Sequence, residues 1–306
     1  MTMISRLVFS LKKKTTKKSS KIKLKEISII IPVKDNQNGI DDFLSSFFKT
    51  HKKEEYPKEI IIVDNLSSKA VQIKSEFQKR GIDIILTNCD KKGPASARNK
   101  GVEISKGNWI LFLDSDCLAT KSTVKGYLKS CNNSVAYAGM VKSLGKDFIS
   151  KYYEEQEILM PLKVSDKNGN FVPQYLITAN CIIWKEAFKE VGGFNEEIQL
   201  AGGEDVDLGL RLSEIGNLSF AFDAVANHNF DDGLRGFWNR FIRYGKGNRI
   251  VEEIYKSDLS PRLFRPNKKT VVNEVLSKIQ WLGLKVGYEK MNKKIKTDAN
   301  KAYNGK

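Results

Sequence analysis

The sequence WILFLDSDC, at residues 109–117, joins an apolar run to a pair of carboxylates. Its first five residues are bulky and apolar without interruption, which is typical of a strand that is buried on both faces. Asp114 and Asp116 follow at once, and ligands of open α/β sheets bind at the carboxyl ends of the strands. Because residues i and i+2 of an extended chain point the same way, we expect the two acids to converge on one cation.

By itself Asp-x-Asp is a weak signal, because carboxylates after a strand also serve as turn residues or helix caps. The flanking sequence adds a regular alternation. Apolar runs at 27–33, 60–63 and 82–86 predict strands, and helical spacing at 40–47, 71–77 and 95–105 predicts the helices between them. This alternation predicts an α/β fold with right-handed crossovers and a mostly parallel, Rossmann-like sheet flanked by helices. Further along, we predict helices at 152–159 and 204–214 and strands at 176–184 and 218–222.

The composition is that of one large α/β domain with appendages, because 306 residues with 41% hydrophobic content can bury a sizeable core. No run approaches eighteen apolar residues, so we predict no transmembrane helix, and no secretory signal is recognisable. The cysteines form no C-x-x-C pair, which argues against a zinc or redox motif. We therefore expect reduced, buried thiols in a cytoplasmic protein at Cys89, Cys117, Cys131 and Cys181.

The net charge of +16 lies in two flanks, residues 1–26 and 235–306, whereas residues 27–234 are slightly acidic. We expect a basic, disordered tail over 1–26, a catalytic domain over 27–234 and a basic helical C-terminal extension over 235–306. Such flanks are either simply solvated or attracted to anionic lipid or nucleic acid. No nucleic-acid module is recognisable, so we predict an anionic membrane surface and no nucleic acid as partner. Apolar positions at helical spacing over 272–286 fit either core packing or a membrane interface.

Six further segments accompany the opening one in a fixed order: ISIIIPVKD (27–35), EIIIVDNLSS (59–68), GPASARNKG (93–101), VGGFNE (191–196), GGEDVDLGLRL (202–212) and His228. From residue 27 to residue 228 they span about two thirds of the chain, and each lies in the expected strand or helix context. This ordered set resembles the family 2 inverting nucleotide-sugar glycosyltransferases, which have the GT-A fold. The resemblance implies a GT-A sheet and a nucleotide-sugar donor.

The resemblance also implies a set of site residues for the donor and a divalent cation. The implied donor-binding residues are Pro32, Val33, Asp35, Asp64, Asn65, Arg98 and Asp114. The implied ligands of Mg²⁺ or Mn²⁺ are Asp114, Asp116 and His228, although a lone histidine is often structural. Asn65 stands where relatives have an acid or amide that reads the base, which favours a UDP- or dTDP-sugar. Arg98 lies early in a predicted helix and is expected to hold the diphosphate.

By the same resemblance, Asp205 is the expected general base that takes a proton from the acceptor hydroxyl, with Glu204 and Asp207 as alternatives. Acids in a first helical turn also suit the helix dipole, which is the structural alternative for this cluster. Arg240, Arg243 and Lys246 lie in a basic segment. This segment either contacts a phosphate of the donor or the acceptor, or forms a generic basic helix. Glu204 is a further candidate for contact with the acceptor.

The predicted function is metal-dependent, inverting transfer of a sugar to a hydroxyl of a glycan or lipid-linked acceptor, in polysaccharide biosynthesis at the inner face of the membrane. A sugar-phosphate nucleotidyltransferase is the first alternative, but that class expects a Gly-rich loop with arginine after the first strand, and residues 32–36 read PVKDN. The second alternative is a non-enzymatic binder of membrane or nucleic acid through the basic flanks.

Overall fold

The computed structural model describes residues 19–130, 133–166, 168–230 and 233–304. It is a mixed α/β fold with one large sheet and one small hairpin. The strands are β1 (Ile27–Val33), β2 (Glu59–Asp64), β3 (Asp83–Asn88), β4 (Trp109–Leu113), β5 (Cys117–Ala119), β6 (Ala136–Ser143), β7 (Lys163–Ser165), β8 (Phe171–Pro173), β9 (Asn180–Trp184) and β10 (Leu218–His228). The helices are α1 (Gln37–Thr50), α2 (Ser75–Gln78), α3 (Pro94–Ile104), α4 (Lys125–Leu128), α5 (Phe148–Glu155), α6 (Lys185–Glu190), α7 (Glu204–Ile215), α8 (Gly233–Tyr255) and α9 (Val271–Asn304).

The large sheet has the order β3-β2-β1-β4-β9-β6-β10-β5. The strands β3, β2, β1 and β4 are parallel to one another, as is β10 to β6. In contrast, β9 runs antiparallel to both β4 and β6, and β5 runs antiparallel to β10. The predicted parallel sheet is therefore found in its first half, and the second half is mixed.

Strand β4 lies in the middle of the sheet, where Leu111 is aligned with Ile29 on one side and Ile182 on the other. All five of its side chains are fully buried, as the uninterrupted apolar run predicts. Helix α1 packs Phe43 and Phe47 on one face of the sheet, and helices α3 and α7 cover the other face. The carboxyl ends of β1, β2 and β4 consequently meet at one edge.

The sequence-based boundaries differ from the structure where tertiary contacts decide them. Residues 71–77 form a helix only from Ser75, and the predicted strand at 176–184 begins at Asn180. Strand β10 continues to His228, past a change of register between Ala221 and Val225. Within the described residues Cys89, Cys117 and Cys181 are buried free thiols, while the prediction for Cys131 lies outside them.

The two C-terminal helices pack against each other at very close range. A Cβ added to Gly245 of α8 would lie 2.0 Å from the carbonyl oxygen of Leu284, and one added to Gly287 of α9 would lie 1.9 Å from that of Ile242. No side chain fits at either position, so the two backbones are in direct contact. Phe237 of α8 joins the same buried cluster as Leu284. The helices are thus packed on the fold, and the predicted division at residue 235 stays a prediction.

The N-terminal segment enters the fold before β1. Residues 1–18, most of the predicted tail, lie outside the described part of the chain. Ser19 donates to the carbonyl of Ser134 at 2.7 Å, and Ile22 is buried in the core. Among the described helices we find none with the length and apolar character needed to cross a bilayer.

Candidate active site

A cavity of 490 Å³ opens at the carboxyl ends of β1, β2 and β4. It is bounded by the loop before α7, by α8 and by the segment between α5 and β9. The predicted site residues that line it are Pro32, Val33, Asn65, Arg98, Asp114, Asp116, Glu204, Asp205, His228 and Arg243, together with Arg240. Four predicted residues do not line it: Asp35, Asp64, Lys246 and Asp207, the alternative base.

Arg98 is a buried bridge between two carboxylates. Its side chain comes from the first turns of α3 and is only 4% exposed. One terminal nitrogen lies 2.8 Å from Oδ1 of Asp114, and the other lies 3.0 Å from Oε1 of Glu204. Its expected contact with a diphosphate stays a prediction, because both terminal nitrogens here are bound to carboxylates. In this structure the guanidinium joins the end of β4 to the start of α7.

Asp114 and Asp116 do not point at one common partner. Residues 115 and 116 form a turn, so the extended geometry expected for this stretch is absent. Asp114 faces Arg98, whereas Oδ1 of Asp116 lies 3.1 Å from Nε2 of His228. The stretch is therefore a turn that leads into β5 rather than an extended chain, and the convergence of the two acids on one cation stays a prediction.

Asp116, Cys117 and His228 form a candidate cation site, since their donor atoms all lie within 4.8 Å of one another. His228 is buried, and within the described residues its Nδ1 has no hydrogen-bond partner. Carboxylate and imidazole are suitable ligands for Mn²⁺, and carboxylate for Mg²⁺. The residues present therefore fit a divalent cation, with Asp116 and His228 as ligands. Asp114 does not belong to this group.

A positive side chain stands beside the candidate cation site. The guanidinium of Arg240 lies 5.4 Å from the ring centres of both Tyr153 and Phe230, and Phe230 stacks on His228. Burial raises the pKa of Asp116, but the neighbouring His228 and Arg240 outweigh burial and hold the pKa below its usual value. Asp116 is consequently a carboxylate at neutral pH.

Two acids open helix α7 at the opposite wall. Gly203 precedes them with φ +100°, a left-handed conformation that glycine adopts without strain. Glu204 is buried, and its Oε2 accepts from the backbone N–H of Gly202 at 2.6 Å. Burial and then the charge of Glu204 raise the pKa of Asp205 to about 7, although Arg98 opposes them. Asp205 is therefore poised to accept a proton near neutral pH.

Helix α8 packs closely against the loop before α7, which the sequence did not reveal. A Cβ on Gly247 would lie 2.3 Å from the carbonyl oxygen of Gly202, so no side chain fits at this position of α8. Nε of Arg243 also donates to the carbonyl of Ala201 at 2.7 Å. Helix α8 thereby fixes the position of the loop that carries Asp205.

Three residues expected at the nucleotide hold loops in place. The side-chain amide of Asn65 donates to the carbonyl of Lys91 at 2.7 Å and accepts from the N–H of Gly93 at 2.9 Å. Asp64 accepts from two backbone N–H groups of the loop after β2, and the exposed Asp35 accepts from the backbone and hydroxyl of Ser68. These bonds shape the rim of the cavity, and base reading by Asn65 stays a prediction.

An apolar wall completes the cavity, and sequence reasoning missed it. It is formed by Ile158, Leu159, Met160, Tyr175 and Ile177. These residues flank the β7–β8 hairpin. The helix predicted at 152–159 is found at Phe148–Glu155, so Ile158 and Leu159 lie in the irregular segment after it, and no pattern in the sequence marks the five residues as one surface. From α8, Tyr244 and Asn248 also line the cavity. Tyr244 and Asn248 lie one and two turns after Arg240, and this spacing was the signal that could have found them.

The order of elements and the cavity match a known family. Residues 28–192, more than half of the chain, match Glycosyl transferase family 2. The chain belongs to this family. A second match, to the N-terminal domain of galactosyltransferase, covers residues 164–230.

Curated relatives of the family 2 chain are glycosyltransferases. Pre-mycofactocin glycosyltransferase of Mycobacterium tuberculosis (strain ATCC 25618 / H37Rv) is 28% identical over 231 residues, which are 72% of this chain and 46% of that protein. Glycosyltransferase AglE of Haloferax volcanii is 27% identical over 216 residues, 66% of each. The chain thus spans about half the length of the first relative.

Solved structures share the fold of this family 2 member. GalNAc-T7, determined with UDP, GalNAc and Mn²⁺, has a TM-score of 0.56 at 16% identity and covers 92% of this chain and 58% of its own. S. aureus TarS 1–349 in complex with UDP-GlcNAc has a TM-score of 0.54 at 18% identity, covering 76% and 67%. The mannosyltransferase PcManGT from Pyrobaculum calidifontis, in complex with GDP-Man and Mn²⁺, has a TM-score of 0.53 at 13% identity, covering 92% and 76%. The predicted GT-A fold is therefore confirmed.

Proposed function

We propose that this chain is a glycosyltransferase that moves a sugar from a nucleotide-diphosphate sugar to an acceptor hydroxyl, with inversion at the anomeric carbon. One observation carries the proposal. A carboxyl with a pKa of about 7, that of Asp205, lines the same cavity as a carboxylate–histidine cation site. Transfer of an activated sugar needs both a base for the acceptor and a site for the negative leaving group.

The donor occupies the end of the cavity at β1 and β4. Pro32 and Val33 lie beside the nucleotide, and the diphosphate lies at Asp116 and His228, with the positive charge of Arg240 nearby. Asp116 and His228 would hold a Mn²⁺ or Mg²⁺ ion, which would supply positive charge to the leaving diphosphate. The solved neighbours with Mn²⁺ and a nucleotide or nucleotide sugar support this arrangement as an analogy of fold.

The acceptor occupies the end that faces α7. Asp205 takes the proton of the acceptor hydroxyl as its oxygen attacks the anomeric carbon, and the bond from that carbon to the diphosphate oxygen breaks. A single displacement of this kind inverts the anomeric configuration. Arg98 holds Glu204 and Asp114 in place on either side of the reacting centre. Burial, and then the charge of Glu204, raise the pKa of Asp205 toward neutral pH, where a general base is most effective.

The nucleobase of the donor and the class of the acceptor are proposed from residues that line the cavity. A UDP- or dTDP-sugar remains our preferred donor because of Asn65, and a glycan or lipid-linked hydroxyl remains the preferred acceptor. The apolar wall at Ile158–Met160 supports an acceptor with an apolar portion. Cytoplasmic location at the inner face of a membrane stays a prediction of the sequence.

Calorimetric titration with UDP, dTDP and GDP, each with Mn²⁺ or with EDTA, tests the proposal. We expect one diphosphate to bind, and its affinity to fall at least tenfold in EDTA and in Asp116→Asn or His228→Ala. Asp223→Asn, the same change at an exposed position of β10, is the matched control. Binding that is indifferent to both metal and Asp116 would contradict the cation site, and absence of sugar transfer from any donor tried would contradict the function.

A further inference from the structure

An exposed apolar surface lies on the outer side of α9 and the loop before it. It consists of Leu263, Val271, Val272, Val275 and Leu282, which we call the α9 patch. Val271 is 83% exposed and Leu263 is 68% exposed. Apolar side chains scattered singly are normal on protein surfaces, but these lie together on α9 and in the loop before it.

The arrangement of the patch follows from how α9 packs. Leu276 and Leu284 face inward and belong to the buried cluster shared with α5 and α8. The outward positions 271, 275, 278, 282 and 285 recur at helical spacing, so they form one stripe. Nε1 of Trp281 donates to the carbonyl of Pro261 at 3.3 Å, which places the loop that carries Leu263 beside this stripe.

Cations surround the patch. Lys278 and Lys285 lie within the stripe, and the ammonium of Lys285 lies 5.4 Å from the ring centre of Trp281. Further exposed cations around it are Arg262, Arg265, Lys268, Lys269, Lys290 and Lys293. Arg262, Lys268 and Lys285 form ion pairs with Asp258, Glu155 and Glu289, but residues 261–297 carry far more basic than acidic side chains.

We propose that the α9 patch docks on an anionic lipid bilayer. An apolar stripe with lysines beside it lies in the plane of a membrane interface, where the apolar side chains enter the head-group boundary and the lysines meet lipid phosphates. A second copy of the chain is a poorer occupant, because two such faces would bring many positive charges together. This inference goes beyond the proposed sugar transfer and does not depend on it.

Hydrogen bonds connect the start of α9 and the loop before it to the segment that leads into the wall of the cavity. Nδ2 of Asn273, in the first turn of α9, donates to Oε2 of Glu155 at 2.7 Å, and the backbone N–H of Asn267 donates to Gln156 at 2.9 Å. Ile158, two residues after Gln156, already lines the cavity. Docking through α9 would consequently hold the apolar side of the cavity near the lipid surface.

Vesicle flotation of the full chain tests the proposal directly. The vesicles contain either phosphatidylcholine alone or phosphatidylcholine with phosphatidylglycerol. Thermal melting without added nucleotide checks that each variant is folded. We expect binding to the anionic vesicles only. We expect the double variant Val271→Asp with Val275→Asp, and separately Lys278→Glu, to bind at least tenfold more weakly with an unchanged Tm.

Phe222→Asp is the matched control, because it places the same charge at an exposed apolar position of β10, away from α9. It should float as the unmodified chain does. Equal binding by the α9 variants and the unmodified chain would overturn the proposal, since binding would then come from elsewhere on the chain. A concentration-dependent dimer that the α9 variants dissociate, with no flotation, would also overturn it and assign the patch to a second copy. Since vesicle binding is read without turnover, failure of the sugar-transfer proposal leaves this result interpretable.

Discussion

Replacing Asp205 with asparagine should make the protein more stable, and increasingly so as the pH rises. In the folded chain burial, and then Glu204, raises the pKa of this carboxyl from 3.8 to about 7. The folded state therefore holds the proton more tightly than the unfolded state does. As the pH rises from about 4 to about 7, ionisation of Asp205 progressively lowers the free energy of unfolding. The full stabilisation by the bound proton is present only below the pKa of the unfolded state.

The size of the effect follows from the width of the window. Between about pH 4 and pH 7 the unfolded carboxyl is ionised while the folded one keeps its proton, and each unit changes the free energy of unfolding by about 1.4 kcal/mol. The full interval of about 3 units corresponds to about 4 kcal/mol. Asparagine has no proton to lose, so the difference in free energy of unfolding between Asp205→Asn and the unmodified chain should grow over this range and level off above pH 7.

Urea denaturation at a series of pH values in EDTA measures this difference without any bound cation. Asp90→Asn, the same change in an exposed loop, is the matched control. A difference between Asp205→Asn and the unmodified chain that stays flat from pH 5 to pH 8 would refute the reasoning. Asp205 would then be an ordinary, solvated acid with no special fitness as a base at neutral pH.

Three further measurements, one on the same variant and two on new ones, test the network around this residue. Asp205→Asn should lower kcat by about 10²- to 10⁴-fold in initial-rate measurements at saturating donor, and an unchanged rate would remove it as the base. Arg98→Met leaves Asp114 and Glu204 without their buried cation, so we expect the free energy of unfolding in urea to fall by about 3–5 kcal/mol; a loss below about 1 kcal/mol would contradict the bridge. Tyr255→Phe removes the hydroxyl that donates to Oδ1 of Asp207 at 2.8 Å, which should cost about 1–3 kcal/mol by the same assay, and no change would show that water replaces the bond.

Local patterns predicted the parts of the fold that depend on local chemistry. The run at 109–113 is a strand over those residues because burial on both faces requires apolar side chains at every position. The helix that opens at Glu204 was likewise predicted from its glycines, acids and apolar spacing. The insertion of β9 between β4 and β6 was not, because an antiparallel pairing across seventy residues leaves no mark in either segment alone.

The candidate site, like the fold, was predicted only in part. The resemblance to family 2 implied one site for Asp116, His228 and Asp205, and all three line the same cavity. Partners could not be predicted: the bridge from Arg98 to Glu204 spans 106 positions, and the turn at Ser115 that separates Asp114 from Asp116 depends on β5 joining β10. The raised pKa of Asp205 also arises from burial, which only the folded chain reveals.

The glycine contacts between α8 and α9 have a mechanical consequence. With backbone pressed on backbone at Gly245 and Gly287, neither helix can slide or rotate without a collision. Helix α8 lines the cavity, and the outer stripe of α9 is exposed. Two helices fixed in this way would hold Asp205 at a constant distance from whatever surface the stripe contacts. Acceptors would then be selected partly by how far their hydroxyl stands out from that surface.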